Sequence, residues 1–219
     1  MSSRPLLRRL LICAPFLFLL ALAFSLHLNH YAQRVEQTVQ PGDLVFQKCL
    51  SMQGVAIRIA TNSQYDHMGI IILRHGKKMV LEALEPVLCT PLAEWVKRTP
   101  FTPIAIRRPI RFSSEPFPDL AARLDAAARE FEGKSYDYLM EWSDDRLYCS
   151  ELVWKLFQRH FQIELCPLQH LRDFNITHPL VARQLKKTYG DAIPLDQTVV
   201  SPESVLNSSA LQVVTLSRF

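Results

Sequence analysis

Cys149 lies where the polar segment SDDRLY meets the amphipathic pattern CSELVWKLFQRHF. Apolar residues recur there every three or four positions, which predicts a helix that begins at or beside the cysteine. The positive end of a helix dipole and a nearby imidazolium together lower a cysteine pKa by several units from about 8.5. Cys149 is therefore a candidate nucleophile, although a small buried helix residue would produce the same local pattern.

A histidine and a glutamate could supply the base and the group that orients it. His67 begins HMGIIIL, a continuous apolar run that predicts a buried strand. Glu82 is the charged residue of MVLEAL, which returns after the turn RHGKK as a predicted antiparallel partner. Counted from the turn, the two residues could be cross-strand neighbours, so that the carboxylate fixes the imidazole tautomer. His67 could instead be a satisfied core histidine. Glu85 is a rival to Glu82, but beside Pro86 at the strand end it fits better as a solvated carboxylate.

The cysteines and histidines give no metal or cofactor signature. Five cysteines occur without a Cys-x-x-Cys pair or a paired Cys/His spacing. Three widely separated donors, Cys149, His67 and Glu82, are a poor match for a metal site. We therefore expect neither a metal nor a cofactor. In an oxidising compartment Cys49, Cys89 and Cys166 could form disulfides, and their pairing is left open.

The N-terminus has the pattern of an export signal or a membrane anchor. Arg4, Arg8 and Arg9 precede LLICAPFLFLLALAFSL, which contains no charge. Such a pattern directs a chain into or across a membrane with its positive flank inside. We expect residues 1–30 to be a signal peptide or membrane anchor, cleaved or retained, and the rest to be exported, either periplasmic or anchored to the cytoplasmic membrane. A buried core helix is the alternative.

After this segment the chain predicts one domain. Residues 31–40 are mostly polar and are interpreted as a spacer, and residues 41–219 as the catalytic domain. A chain of 219 residues that is 48% hydrophobic can bury one substantial core. The net charge of +4 is spread without a Lys/Arg block, which gives no reason to expect nucleic acid as a partner.

Strand patterns cluster in the middle of the chain, and helix patterns flank them. This arrangement predicts an α+β fold with a mostly antiparallel central sheet. Helices are predicted at 51–60, in LAEWVKR, at 118–132 and from Cys149 onward. Strands are predicted in DLVFQ, HMGIIIL, MVLEAL, VLC, PIAIRRP and LQVVTL.

Several of these segments resemble one family. GDLVFQ, SMQGVAIRIATNSQYDHMGIIIL, VLEAL, the SYDY segment and YCSELVWKLF are similar to the permuted papain-like amidases of the YiiX type, relatives of the NlpC-type cell-wall peptidases. The resemblance runs from about Pro41 to residues 201–206. It implies a circularly permuted papain-like fold in which the histidine precedes the cysteine, with Cys149 as nucleophile, His67 as base and Glu82 as the third polar group.

The implied reaction is acyl transfer through a thioester on Cys149. The backbone N–H of Cys149 is the candidate oxyanion donor, and Gln47, Ser63, Tyr65 and Tyr148 are nearby polar candidates. The substrate contains an amide or ester and could be a peptide, a peptidoglycan muropeptide or an acyl lipid. The leading expectation is a cell-envelope amide hydrolase. A lipid acyltransferase or esterase, which a long apolar pocket would favour, and a catalytically silent binding module are the alternatives.

Overall fold

A central antiparallel sheet organises the protein, which a computed structural model describes over residues 4–114 and 116–216. The described strands are β1 Leu44–Gln47, β2 His67–Arg74, β3 Lys77–Glu82, β4 Leu88–Pro91, β5 Ala105–Pro109, β6 Ser135–Tyr136, β7 Arg146–Leu147, β8 Gln169–His170, β9 Thr198–Val199 and β10 Leu211–Val213. Six of them form the central sheet in the order β10-β5-β1-β2-β3-β4, and each pairs antiparallel with its neighbours. The predicted α+β class with a mostly antiparallel sheet is thus confirmed.

Helices cover both faces of this sheet. They are α1 Arg4–Thr38, α2 Met52–Thr61, α3 Leu92–Lys97, α4 Phe117–Arg129, α5 Cys149–Phe161, α6 Pro179–Tyr189 and α7 Pro202–Leu206, with short 3-10 helices at Ile110–Ser114 and Leu171–Asp173. The predicted helices at 51–60, in LAEWVKR, at 118–132 and from Cys149 correspond to α2, α3, α4 and α5.

Strand β2 separates two hydrophobic cores, because successive side chains of a strand point to opposite faces. Met68, Ile70 and Ile72 belong to the larger core with residues of α4 and α5. Ile71 belongs to the smaller core with residues of α1 and α3. The burial of β2 on both faces was predicted from its continuous apolar sequence.

Residues 31–38 differ from the spacer that the sequence predicts. Helix α1 continues through Thr38, and Ala32, Val35 and Val39 are almost fully buried in the core that also contains Trp95 of α3. The Nζ of Lys78 donates to the backbone carbonyl of Val39 at 2.7 Å. Val35 and Val39 lie one helical turn apart, so two valines in a polar stretch suffice to bury one helix face.

The predicted signal or anchor, residues 1–30, lies partly outside the described residues. Residues 1–3 are not described, and side chains are described from Leu17 onward. From there several large apolar side chains of α1 are exposed, for example Leu17 at 62% and Phe18 at 68%. Among the described residues we find no helix with the length and apolar composition that crossing a membrane requires.

Candidate functional site

Cys149 is the first residue of α5, as the amphipathic pattern predicts. Its side chain is buried, and its Sγ lies 4.0 Å from the backbone oxygen of Asp66, the residue that precedes β2. At a helix start the backbone N–H has no carbonyl partner within its own helix. The sulfur therefore lies at the positive end of α5, beside the beginning of the central strand.

His67 and Glu82 are in direct contact, with His67 Nε2 and Glu82 Oε2 2.6 Å apart. Their strands pair with Ile70 opposite Leu81. Extending this register places Glu82 opposite Gly69, so it lies diagonal to His67 on the same face of the sheet. A Cβ atom on Gly69 would lie only 2.4 Å from Val80 Cγ1 and 2.7 Å from the backbone oxygen of Leu81. The absence of a side chain at Gly69 thus allows the close approach of β2 and β3 beside this pair.

Three further side chains hold the buried carboxylate of Glu82. Arg98 donates to both oxygens at 2.8 Å, through Nη1 and Nη2. The hydroxyl of Thr90 donates to Oε1 at 2.5 Å, and the indole Nε1 of Trp95 donates to Oε2 at 3.1 Å. A bidentate guanidinium contact fixes both the position and the charge of a carboxylate. Glu82 is therefore held as an anion in one orientation.

The environment of Glu82 keeps it ionised at any ordinary pH. Burial alone would raise the pKa of its carboxyl, but hydrogen bonds from His67, Arg98 and Thr90 lower that pKa to about 2. The contacts to the charged form thus outweigh desolvation.

His67 is held in the protonated form. Burial would lower the pKa of the imidazole, but hydrogen bonds to Cys149 and Glu82 raise it to about 10. Since Nε2 contacts Glu82, Nδ1 is the ring nitrogen left for the thiol. The arrangement favours an imidazolium beside the carboxylate of Glu82.

The rival carboxylate, Glu85, lies elsewhere. It is exposed, and its Oε2 accepts the backbone N–H of Tyr136 at 2.9 Å. The structure therefore brings Cys149, His67 and Glu82 together and leaves Glu85 in the solvated position that its sequence context favours.

Asp66 ties α2 to the strand that carries His67. Its carboxylate accepts the backbone N–H of Cys49 at 2.8 Å and a hydrogen bond from the Arg58 guanidinium. A Cβ atom on Gly54 would lie 2.1 Å from Asp66 Oδ2, so α2 passes this carboxylate at a position where glycine is required. These contacts fix the loop whose carbonyl lies beside the sulfur.

The polar groups proposed as oxyanion donors occupy different settings. Gln47 lies opposite His67 in the pairing of β1 and β2; its Oε1 accepts from Thr99 at 3.3 Å, and its buried Nε2 has no hydrogen-bond partner among the described residues. The hydroxyl of Tyr148 accepts the N–H of Val200 at 3.0 Å. The Ser63 hydroxyl accepts the N–H of Tyr65 at 3.0 Å within a turn.

The remaining described cysteines differ from Cys149. Cys49, Cys89 and Cys166 are free thiols, and burial raises the pKa of each to about 12. They are therefore neutral at ordinary pH, and nothing in the described part of the chain activates them.

Comparison with known proteins gives the family. Residues 38–215 match a family described as "Permuted papain-like amidase enzyme, YaeF/YiiX, C92 family". The chain belongs to the permuted papain-like amidases. It is 38% identical over 175 residues to "Uncharacterized protein YiiX" of Escherichia coli (strain K12), which covers 80% of this chain and 85% of that protein. A crystal structure of "metalloprotein yiiX from Escherichia coli O157:H7" matches it with a TM-score of 0.77 and 38% identity, over 82% of this chain and 98% of that one.

As a permuted papain-like amidase, the protein is a cysteine-type hydrolase, which confirms the class of enzyme that the sequence predicts. The chain order also agrees with the permutation, because His67 begins β2 and Cys149 begins the later helix α5. The family match begins at residue 38, so most of α1 lies before it.

Several residues around the amidase site were not found from the sequence. Arg98, Trp95 and Thr90, which hold Glu82, look like ordinary residues of a short helix and a short strand, and their role depends on tertiary packing. Tyr136 lines the same pocket as Cys149. Burial raises the pKa of its hydroxyl, so this hydroxyl keeps its proton and can donate. The SYDY segment, part of the family resemblance, was the available signal for Tyr136.

Proposed function

We propose that the protein hydrolyses amide bonds with Cys149 as nucleophile, His67 as general acid and base, and Glu82 as the group that holds the histidine. The observation that carries the proposal is the position of His67: its Nε2 lies 2.6 Å from the anionic Glu82, and Cys149 at the start of α5 is near enough to help raise the pKa of its imidazole. This arrangement supplies a nucleophile, a proton carrier and an orienting group in contact.

The reaction proceeds in two balanced steps. The Cys149 sulfur attacks the substrate carbonyl, the C–N bond breaks, and His67 gives its proton to the departing amine. Water then attacks the thioester, gives its proton to His67 and its hydroxyl to the acyl carbon, and the sulfur leaves as thiolate. The N–H of Cys149 and the hydroxyl of Tyr136 are the donors proposed for the oxyanion.

A thiol-labelling experiment tests the activated sulfur. At neutral pH iodoacetamide should alkylate Cys149 faster than Cys49, Cys89 or Cys166, whose thiols burial keeps neutral. The preference should disappear in His67→Ala. Equal labelling of the four thiols in the unsubstituted protein would contradict the proposal. Loss of amide hydrolysis in Cys149→Ala is the second requirement, and unchanged turnover in that variant would exclude this site.

We further propose a cell-envelope location, with the catalytic domain outside the cytoplasmic membrane. The support is the arginine flank and apolar run at the N-terminus, which precede the domain in the sequence. Fusion of alkaline phosphatase to the C-terminus should give an active phosphatase if the domain is exported. An inactive phosphatase fusion that accumulates in the cytoplasm would contradict this location. That compartment contains both candidate substrate classes, the amide-containing peptides of peptidoglycan and acyl lipids.

A metal ion does not fit the Cys149–His67–Glu82 group, although the similar E. coli structure bears the name metalloprotein. Both oxygens of Glu82 accept from the Arg98 guanidinium, and His67 Nε2 contacts the same carboxylate. A cation would have to displace a positively charged partner to reach these oxygens. Among the described residues no group of three or more His, Cys, Asp or Glu side chains could hold a metal. No step of the proposed reaction therefore involves a metal.

A further inference from the structure

An apolar pocket opens beside Cys149. Tyr136, Tyr148, Ser150 and Asp66 line it together with Cys149, and its cavity volume is about 100 Å³. The pocket is therefore placed to receive a group attached to the carbonyl that Cys149 attacks.

Two helices contribute walls of the pocket. Five lining residues belong to α2, namely 53, 56, 57, 60 and 61, and five belong to α6, namely 181, 184, 185, 188 and 189, and in each helix they follow the spacing of one face. On α2 the wall includes the small residues Ala56 and Ala60, which leave room between the helices. The segment that contains Leu171, Phe174 and Ile176, together with residues 199–202, closes the other sides.

The chemistry of the lining excludes a strongly charged occupant. Asp66 is the one Asp, Glu, Lys or Arg among the described lining residues, and its carboxylate already binds Arg58 and the N–H of Cys49. About half of the lining residues are Ala, Ile, Leu, Val, Phe or Met, and most of the others are uncharged polar residues. A peptidoglycan stem peptide carries several carboxylates, which this pocket could not pair, and burying an unpaired charge is costly.

We propose that this pocket binds a linear aliphatic acyl chain, so that the substrate is an N-acyl amide or acyl ester whose carbonyl lies at Cys149. This inference rests on the proposed function and names its substrate class. The acyl group forms the thioester and the polar amine or alcohol leaves toward solvent with a proton from His67. Water then releases the fatty acid and regenerates the thiolate.

Binding to the Cys149→Ala protein tests the pocket without turnover. Affinities of saturated fatty acids from four to sixteen carbons, measured by displacement of a fluorescent fatty acid, should increase with chain length. Full burial of a methylene is worth about fourfold in affinity, and the gain should level off where the pocket ends. Affinity that is independent of chain length would overturn the proposal.

A matched pair of variants places the binding in the pocket rather than on the exposed apolar part of α1. In the Cys149→Ala background, Ala60→Phe fills the space between α2 and α6 and should weaken binding of the sixteen-carbon acid at least ~10-fold. Met52→Phe adds the same ring to α2 at a residue that is 67% exposed and is not part of the lining of this pocket, and it should leave binding unchanged. Equal affinity in both variants would overturn the proposal.

Kinetics then separates this inference from the proposed function. With acyl p-nitroanilides, kcat/KM should increase with acyl length in a Cys149-dependent manner, and Ala60→Phe should lower kcat/KM for long-chain substrates far more than for the acetyl substrate. Cys149-dependent cleavage without length preference, or faster cleavage of muropeptides, would overturn the acyl-chain site and leave the cysteine hydrolase in place. Cleavage independent of Cys149 would reject both.

Discussion

His67 depends on a carboxylate that cannot easily take up a proton. Glu82 is fully buried, yet it has hydrogen bonds from Arg98, Thr90 and Trp95 in addition to His67. A glutamate with fewer donors in the same place would become neutral on burial, and the histidine would then lose its counter-charge. The acid–base chemistry of the site is thus determined by the residues that bind Glu82 as well as by the three proposed catalytic groups.

Glu82→Gln should move the alkaline limit of activity to lower pH. The reaction requires protonated His67, whose pKa of about 10 is raised by its hydrogen bonds to Cys149 and Glu82. Removing the carboxylate charge destabilises the imidazolium, so the ring loses its proton about one to three pH units lower. We expect kcat/KM to fall roughly 100-fold or more at neutral pH and its alkaline limb to shift downward. Thr90→Val, which retains the carboxylate, is the control with a much smaller shift. An unchanged alkaline limb in Glu82→Gln would contradict this role.

At the scale of elements, α3 and β4 carry the residues that hold Glu82. Trp95 and Arg98 lie in and directly after α3, and Thr90 lies in β4. Helix α3 packs in turn against the C-terminal part of α1, and Val35 of α1 and Val39 just after it lie in the same core. The position of the proposed catalytic carboxylate therefore depends on helices outside the hairpin that carries it.

Arg98→Lys should separate charge from geometry. Lysine retains a positive charge but cannot donate two parallel hydrogen bonds to the carboxylate. In Arg98→Lys we expect the pKa of His67 to stay elevated and kcat to fall. In Arg98→Met we expect both the pKa of His67 and kcat to fall. Arg98→Met should also lower the free energy of unfolding by about 2 kcal/mol, because a buried anion loses charged donors. The pH dependence of kcat and urea unfolding measure the two effects, and a stability loss without any change in the pH profile would indicate a purely structural role.

Val35→Ala tests whether α1 belongs to the folded domain. Val35 is fully buried against α3, so the lost methyl groups and the remaining cavity should lower the free energy of unfolding by about 1–2 kcal/mol. The same change at Val213, which is 68% exposed on β10, should cost little. Urea unfolding of the full-length chain compares them. Equal stability of the two variants would restore the interpretation of residues 31–40 as a spacer.

For the whole molecule, the sequence predicted local elements better than their contacts. Helix α5 was predicted from apolar residues that recur every three or four positions. The hairpin of β2 and β3 was predicted from its turn at His75 and Gly76. The end of α1 was missed because its two valines stand among polar residues, and α6 was not identified although Pro179 and Gly190 mark its ends. Neither the contact of Arg98 with Glu82 nor the pocket between α2 and α6 could be predicted, since both depend on how distant segments pack.

The stability of the whole molecule should be greatest in weakly acidic solution. Glu82 has a lowered pKa, so its contribution is complete above about 4.5 and is lost as pH falls through about 2. His67 has a raised pKa, so its contribution is complete below about 6.5 and is lost as pH rises through about 10. Burial raises the pKa of Glu151 to about 7, despite its contact with Lys155, so its contribution is complete below about 4.5 and is lost as pH rises through about 7.

Urea midpoints between pH 4 and pH 9 measure this dependence. The unsubstituted protein should lose stability from about pH 5 to pH 8, and Glu151→Gln should lose less over the same interval because its side chain stays neutral. A stability that increases steadily between pH 5 and pH 8 would contradict the assignment of Glu151 and His67.

Arg98 also offers a chemical route to the site that avoids the sulfur. Its side chain is 35% exposed, whereas the Glu82 that it binds is fully buried. A dicarbonyl reagent such as phenylglyoxal can therefore reach the guanidinium from solvent. Modification of the guanidinium would remove its hydrogen bonds to the Glu82 carboxylate. Inactivation should then proceed with the Cys149 thiol still free, as titration with a disulfide reagent would show, and Arg98→Lys should resist it. Inhibitors of this amidase could therefore act on Arg98 without reacting with the Cys149 thiol.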